Sequence, residues 1–191
     1  MNFEVFPMSA QQTSIDGLTL IDVKRVTEDR GEVRELFRKS AYETCGLKVQ
    51  NWQQVNLTYT TRGAVRGLHA ESMNKLITVA HGEVFGAYVD VRPQSKTFKN
   101  IYHCRITPGI QLLVPRGVCN GFQAVSESGA EYLYMFDEEW VSGMPGSALT
   151  PLDNELGIPW PIPIDENNRA QISEKDANAP TLDQLVAALK Q

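Results

Sequence analysis

The sequence predicts a mostly β protein, a sandwich or jelly-roll β-barrel with one short helix at its C-terminal end. Three observations predict it. Short runs that alternate apolar and polar residues recur from about Leu18 to Asp137. Gly, Pro, Asn or charged turns separate these runs at the spacing of an antiparallel sandwich or barrel, rather than that of a βαβ fold. A convincing helical period appears only after Pro180.

Leu18 to Val26 and Val55 to Thr60 alternate as half-buried strands do. Leu76 to Val91 reads as two β-branched runs around His81-Gly82-Glu83, which predicts a hairpin. Further strands are predicted at Asn100 to Ile106, Ile110 to Val114, Gly121 to Val125 and Glu131 to Phe136, with tight turns at Pro108-Gly109 and Pro115-Arg116-Gly117. Ser142 to Pro180, rich in Pro, Asn and Asp, is expected to wrap the barrel irregularly. Thr181 can cap the terminal helix, in which Leu182, Leu185, Val186 and Leu189 recur at i, i+3, i+4 and i+7.

A chain of 191 residues fits one domain, 1–191, and is long enough to fold without disulfides or a structural metal. Its 42% apolar and 21% charged residues are those of a soluble globular protein. No apolar run approaches the length of a bilayer span, and the N-terminus has no secretory pattern. The three cysteines, Cys45, Cys104 and Cys119, are odd in number and widely spaced, which predicts a reducing compartment and a cytoplasmic protein. A net charge of −5 disfavours nucleic acid as a partner but leaves room for a small anionic ligand held by a local basic cluster.

The chain has three histidines, His69, His81 and His103, and none forms a His-x-His pair. A bound catalytic metal is therefore not expected, and neither is any other cofactor. The segment Arg62 to His69 ends a β run in Arg66-Gly67-Leu68-His69, six residues before Lys75, and Asp90 ends the run after that. An imidazole oriented by a carboxylate is a competent general base. A nearby lysine can stabilise the oxyanion formed when a proton leaves carbon next to a carbonyl. On spacing alone, His69 reads as a hydrogen-bonded core histidine and Lys75 as a solvated strand end.

Several segments, in order from about Ile15 to Leu185, resemble the dTDP-4-dehydrorhamnose 3,5-epimerases, nucleotide-sugar epimerases of the cupin type. They are Asp29-Arg30-Gly31 with Glu35, Gln54-Val55-Asn56, Arg66-Gly-Leu-His69, Lys75-Leu76, Gly82-Glu-Val-Phe85 and Val89-Asp90-Val-Arg92. They continue as Ser95-x-Thr97-Phe98, Val114-Pro-Arg-Gly117, Asn120-Gly-Phe122, Leu156-Gly-Ile-Pro-Trp160-Pro and Ser173-Glu-Lys175-Asp176. The resemblance implies a cupin-type jelly roll and epimerisation of a nucleotide-linked 4-keto-6-deoxyhexose at C3, C5 or both. It implies His69 as base, Asp90 as its orienting carboxylate and Lys75 at the C4 enolate. Arg66 and Arg30 would contact the diphosphate, with Glu35 and Gln54 at the nucleotide end, partly across a homodimer interface. Asn56 and Lys175 match positions near the site. Without the resemblance, Arg30 and Glu35 read as a surface ion pair.

Three departures bear on activity. The resemblance implies a tyrosine acid six residues past a strand tyrosine, and counting from Tyr134 reaches Trp140, whose indole has no usable pKa but offers a flat wall for a sugar or base. Glu138 and Glu139 read as donors or as solvated loop carboxylates. Asn120 stands where the family usually has a histidine, and Ala70 to Asn74 is a shorter loop than the family's. Three functions stay open: an epimerase acting at one or both centres, a keto-sugar isomerase using the same enolate, and a non-catalytic sugar-nucleotide-binding protein. dTDP is the expected nucleotide, with GDP and CDP as alternatives.

Overall fold

A computed structural model describes residues 3–48 and 51–188. In chain order the strands are β1 (Phe3–Phe6), β2 (Ser9–Gln12), β3 (Thr19–Asp22), β4 (Arg25–Glu28) and β5 (Gly31–Arg34), then helix α1 (Lys39–Thr44). There follow β6 (Gln54–Thr60), β7 (Val65–Glu71), β8 (Lys75–His81), β9 (Val84–Asp90), β10 (Ile101–Ile106) and β11 (Ile110–Val114). The chain closes with β12 (Val118–Ala124), β13 (Ala130–Phe136), β14 (Gly146–Ala148), α2 (Glu174–Ala177) and α3 (Leu182–Ala188).

Two antiparallel sheets form the barrel walls, one ordered β2-β3-β11-β8-β13-β6 and the other β10-β9-β12-β7-β14. A small sheet, β1-β4-β5, lies apart from them in the pairing. The main core draws on both walls: Ile77, Val79, Leu112 and Tyr132 from one, Val84, Tyr88 and Phe122 from the other. Fully burying such side chains is worth about 1.5–3 kcal/mol each, which holds the walls face to face. The mostly β jelly-roll class is as expected.

Two local expectations are corrected. Leu76 to Val91 is not a hairpin: β8 pairs with β11 and β13, whereas β9 pairs with β10 and β12 in the other sheet. Gly82, at φ +81°, makes the crossing, and a Cβ there would stand 2.4 Å from the Gly129 carbonyl oxygen. β8 and β9 are each largely buried, so no polar face in the sequence marks which neighbour each takes. Leu18 to Val26 likewise divides into β3 and β4, which join different sheets, with the Val23 N–H turned to the Gly109 carbonyl at 2.9 Å.

The terminal helix is α3. The Thr181 N–H donates to Gln184 Oε1 at 2.9 Å and the Gln184 N–H to Thr181 Oγ1 at 3.4 Å, a reciprocal capping box. Leu182 and Val186 bury against Leu149 and Leu156; Leu189 lies outside the described residues. Among the described residues no helix is long and apolar enough to cross a membrane.

Candidate active site

A cavity of about 910 Å³ opens between the two barrel walls, lined by β6, β7, β8, β12 and β13 and by the segment from Arg169 to Asp176. His69 reaches it from β7. Its Nε2 lies 2.7 Å from Asp176 Oδ1, with Asp176 nearly buried and the imidazole about one third exposed. The placement of Asp176 begins in sequence: the Ser173 side chain caps α2 by accepting from the Asp176 N–H at 3.0 Å, which fixes the turn carrying that carboxylate. The Gly67 N–H also points to Asp176 Oδ2, at 3.4 Å. Burial alone would raise the Asp176 carboxyl, but its hydrogen bonds to His69, Ser173 and the Gly67 N–H together hold it below the usual range. An ionised Asp176 accepts from Nε2–H. That tautomer leaves Nδ1 with a lone pair, the state a general base needs.

Lys75, the first residue of β8, is buried, and its ammonium contacts both Asn120 Oδ1 on β12 and Glu71 Oε2 on β7. It also sits 5.9 Å from the centre of the Phe136 ring. Burial lowers its pKa, and the Glu71 carboxylate opposes that effect.

The wall made by β13 turns Tyr132, Tyr134 and Phe136 inward at every second residue, a ladder with ring centres 6.1 and 5.2 Å apart. Tyr132 stacks on Phe122 at 3.9 Å. Tyr134 lines the cavity from the sheet opposite the one that carries His69. At the rim, Trp140 is half exposed, and its backbone N–H donates to Gln54 Oε1 at 2.7 Å. Gln54 in turn reaches Asn56 at 3.3 Å. Arg66 is held by a bond from Nε to Thr60 Oγ1 at 3.0 Å.

Of the residues singled out in the sequence, His69, Lys75, Gln54, Asn56, Arg66, Asn120, Trp140 and Lys175 all line this cavity. Asp90 does not, and its pairing with His69 is corrected. Asp90 is fully buried and accepts from Arg92 Nε and Nη2, both at 2.8 Å, from Ser95 Oγ at 2.6 Å and from Thr97 Oγ1 at 2.7 Å. The register explains it. Asn120 pairs with His69 on one side and Tyr88 on the other, so β9 is two strands from β7, about 9.5 Å away. Asp90 therefore ties its own loop, and Asp176 takes the position beside His69.

Arg30 and Glu35 also lie outside the cavity: Arg30 pairs with Glu28, and Glu35 with Arg38 on the surface. The residues that sequence reading missed are Asp176 and Tyr134. Asp176 stands in the Ser173-Glu-Lys175-Asp176 segment, where a capped turn was the available signal. The alternation of β13 was the signal for Tyr134.

The other histidines stand elsewhere. His81 is at the surface with Ser128 Oγ 3.4 Å away, and His103 stacks on Phe85 at 5.4 Å. Among the described residues no three His, Cys, Asp or Glu side chains are grouped to hold a metal ion.

The profile of the dTDP-4-dehydrorhamnose 3,5-epimerase family matches residues 12–184. A Streptococcus pyogenes protein described as an RmlC homolog is 36% identical over 176 residues, covering 88% of this chain and 86% of its own. A dTDP-4-dehydrorhamnose 3,5-epimerase of Methanothermobacter thermautotrophicus is 31% identical over 175 residues, covering 87% and 90%. The crystal structure of the dTDP-6-deoxy-D-glucose-3,5-epimerase RmlC of Legionella pneumophila, in complex with dTDP-4-keto-L-rhamnose, superimposes with a TM-score of 0.83. It is 31% identical and covers 95% of this chain and 96% of that one. The chain belongs to the dTDP-4-dehydrorhamnose 3,5-epimerase family, a family of isomerases that act on carbohydrates.

Proposed function

We propose that the protein epimerises a dTDP-linked 4-keto-6-deoxyhexose at C3, C5 or both, in deoxysugar biosynthesis, by proton abstraction through a C4 enolate. The observation that carries this reading is the His69–Asp176 dyad facing the same cavity as the buried ammonium of Lys75. His69 Nδ1 takes the proton next to the ketone, and Asp176 stabilises the imidazolium that results. Lys75 stabilises the oxygen on which negative charge develops, within a largely water-excluded wall of the site. The Legionella relative, with its bound dTDP-4-keto-L-rhamnose, supports the substrate class.

Inversion needs a proton delivered from the face opposite His69. Trp140 cannot supply it, since an indole N–H has no usable pKa. Tyr134 is the donor in this reading, because its phenol faces the cavity from the opposing sheet. Arg66 and Lys175 supply positive charge for the diphosphate, Gln54 and Asn56 supply amides for the nucleotide end, and Trp140 supplies a flat apolar wall at the mouth.

The working unit is proposed to be a homodimer. Val55, Leu57 and Tyr59 form a stripe on the edge strand β6, and each is more than half exposed. Such a stripe beside an unpaired strand edge is the type of surface that a second copy covers. In that assembly Arg30 and Glu35, remote from their own cavity, act on the partner's nucleotide.

The test is NMR in D2O with dTDP-4-keto-6-deoxyglucose, following deuterium at C3 and C5. Exchange with inversion at either carbon is expected, and His69→Ala should abolish it while leaving dTDP affinity within a few-fold. No exchange, with dTDP binding demonstrated, would sink the reading.

A further inference from the structure

The connection between β7 and β8 is short. Only Ser72, Met73 and Asn74 separate the two strands, although these belong to opposite walls. The crossing is pinned: the Asn74 N–H and side-chain amide donate to the Asp137 carboxylate at 2.8 and 2.6 Å, and Met73 is buried. Glu71, two residues past His69 and on the same face of β7, is thereby brought against Lys75.

A lysine enclosed by protein is costly to keep charged unless an anion stands beside it. Several titratable groups lie on the elements around Lys75. They are His69 and Glu71 on β7, Cys119 on β12, Tyr132 and Tyr134 on β13, and Asp137 just beyond. Burial pushes the Cys119 thiol up to about 12 and the Tyr132 phenol well above its ordinary range, so both are neutral at physiological pH. Asp137 is engaged by Asn74 and lies 3.8 Å from Arg116. Glu71 is the carboxylate in contact with the ammonium, and Asn120 contributes only a neutral carbonyl.

We infer that Glu71 is a positioning residue for the reaction: its carboxylate keeps Lys75 charged and aims the ammonium, through the Asn120 contact, at the oxygen that becomes the enolate. The inference rests on the epimerase reading for the role of Lys75, but the charge relationship itself does not. Glu71 does not touch the reacting carbon. It acts through Lys75, whose ammonium it contacts.

The sign of the effect follows. Removing the Glu71 charge withdraws the largest contribution that opposes burial, so Lys75 loses its proton at lower pH. The experiment is a titration of 13C-labelled lysine in the free protein, with the Lys75 signal identified by its absence in Lys75→Met. In Glu71→Gln the Lys75 midpoint should fall by about one pH unit or more, and Glu71→Asp should recover part of that shift. The alkaline limb of kcat should move to lower pH by a similar amount, with KM changed less than twofold. A Lys75 midpoint that is the same in the wild-type protein and Glu71→Gln would overturn the inference, as would an unmoved alkaline limb. Because the titration needs no substrate, an absence of turnover would count against the epimerase reading and leave the Glu71 result to stand or fall alone.

Discussion

The imidazole of His69 and the carboxylate of Asp176, 107 residues apart in the chain, meet at 2.7 Å. One comes from the middle of a barrel strand and the other from a single turn of helix that packs on that strand. The irregular C-terminal segment thus completes a site that the barrel alone leaves without its orienting anion.

Asp176→Asn retains the shape but removes the charge that, in the proposed mechanism, fixes the tautomer and stabilises the imidazolium. The expected loss in kcat is on the order of 10²–10³-fold, with KM within about threefold. Asp90→Asn should change kcat less than about threefold. Steady-state kinetics on both variants distinguish the two carboxylates. Equal losses would return the orienting role to Asp90.

Tyr134→Phe removes one hydroxyl from the wall facing His69. Loss of inversion with retained deuterium exchange is expected, since in the proposed mechanism His69 and Lys75 still form the enolate. One-dimensional NMR of the recovered sugar reads both quantities at once. Full inversion at the wild-type rate would exclude Tyr134 as the donor.

Asp90 makes an acid-stability prediction. Burial would raise its carboxyl, but the bonds from Arg92, Ser95 and Thr97 outweigh burial and hold it at about 2. A group with a depressed folded pKa contributes stability above its unfolded pKa, near 4, and loses that stability as pH falls towards 2. The expected loss over that window is about 2 kcal/mol from this group. Urea melts of the wild-type protein and Asp90→Asn should differ by that amount at pH 7 and converge near pH 2.

Leu57→Glu places a charge in the middle of the exposed stripe on β6. Sedimentation velocity should show a dimer for the wild-type protein and a monomer for the variant, with the far-ultraviolet circular dichroism spectrum unchanged. A wild-type monomer at micromolar concentration would remove the dimer proposal.

Gly67→Ala tests close packing beside the site. Gly67 has φ +115°, and a Cβ would lie 2.6 Å from Gly121 Cα and 2.8 Å from the Asn120 carbonyl oxygen, both backbone atoms unable to move aside. The expected cost is about 3 kcal/mol or more, read as a lower urea midpoint.

Much of this was legible in the sequence. Strands such as β6 and β13 announce themselves by alternation, and the Thr181 cap announces α3. Partner choice was not legible. His81-Gly82-Glu83 has the chemistry of a tight turn, which fits a hairpin and a crossing between walls equally well, and only the global packing separates them. The site divided on the same line. His69 and Lys75 stand in a legible local motif and Asn120 in a segment that carries the family resemblance, but which carboxylate faces His69 depends on strand order, a property of the assembled sheet. β1, β2 and β5 went unread because their largely exposed residues carry little of the burial signal that alternation reports.

The period-two alternation of β6 carries a consequence for how this enzyme can be altered. Positions 54, 56 and 58 are part-buried, whereas 55, 57 and 59 are exposed. One seven-residue stretch therefore offers two interleaved sets of sites for engineering or evolution. A library at the even positions varies part-buried side chains, and one at the odd positions varies exposed ones. Both border the cavity, since Val55, Leu57 and Tyr59 line it together with Gln54, Asn56 and Thr58. A change to the outer surface of this strand therefore reaches the ligand site as well, because the residues that govern the two are sequence neighbours.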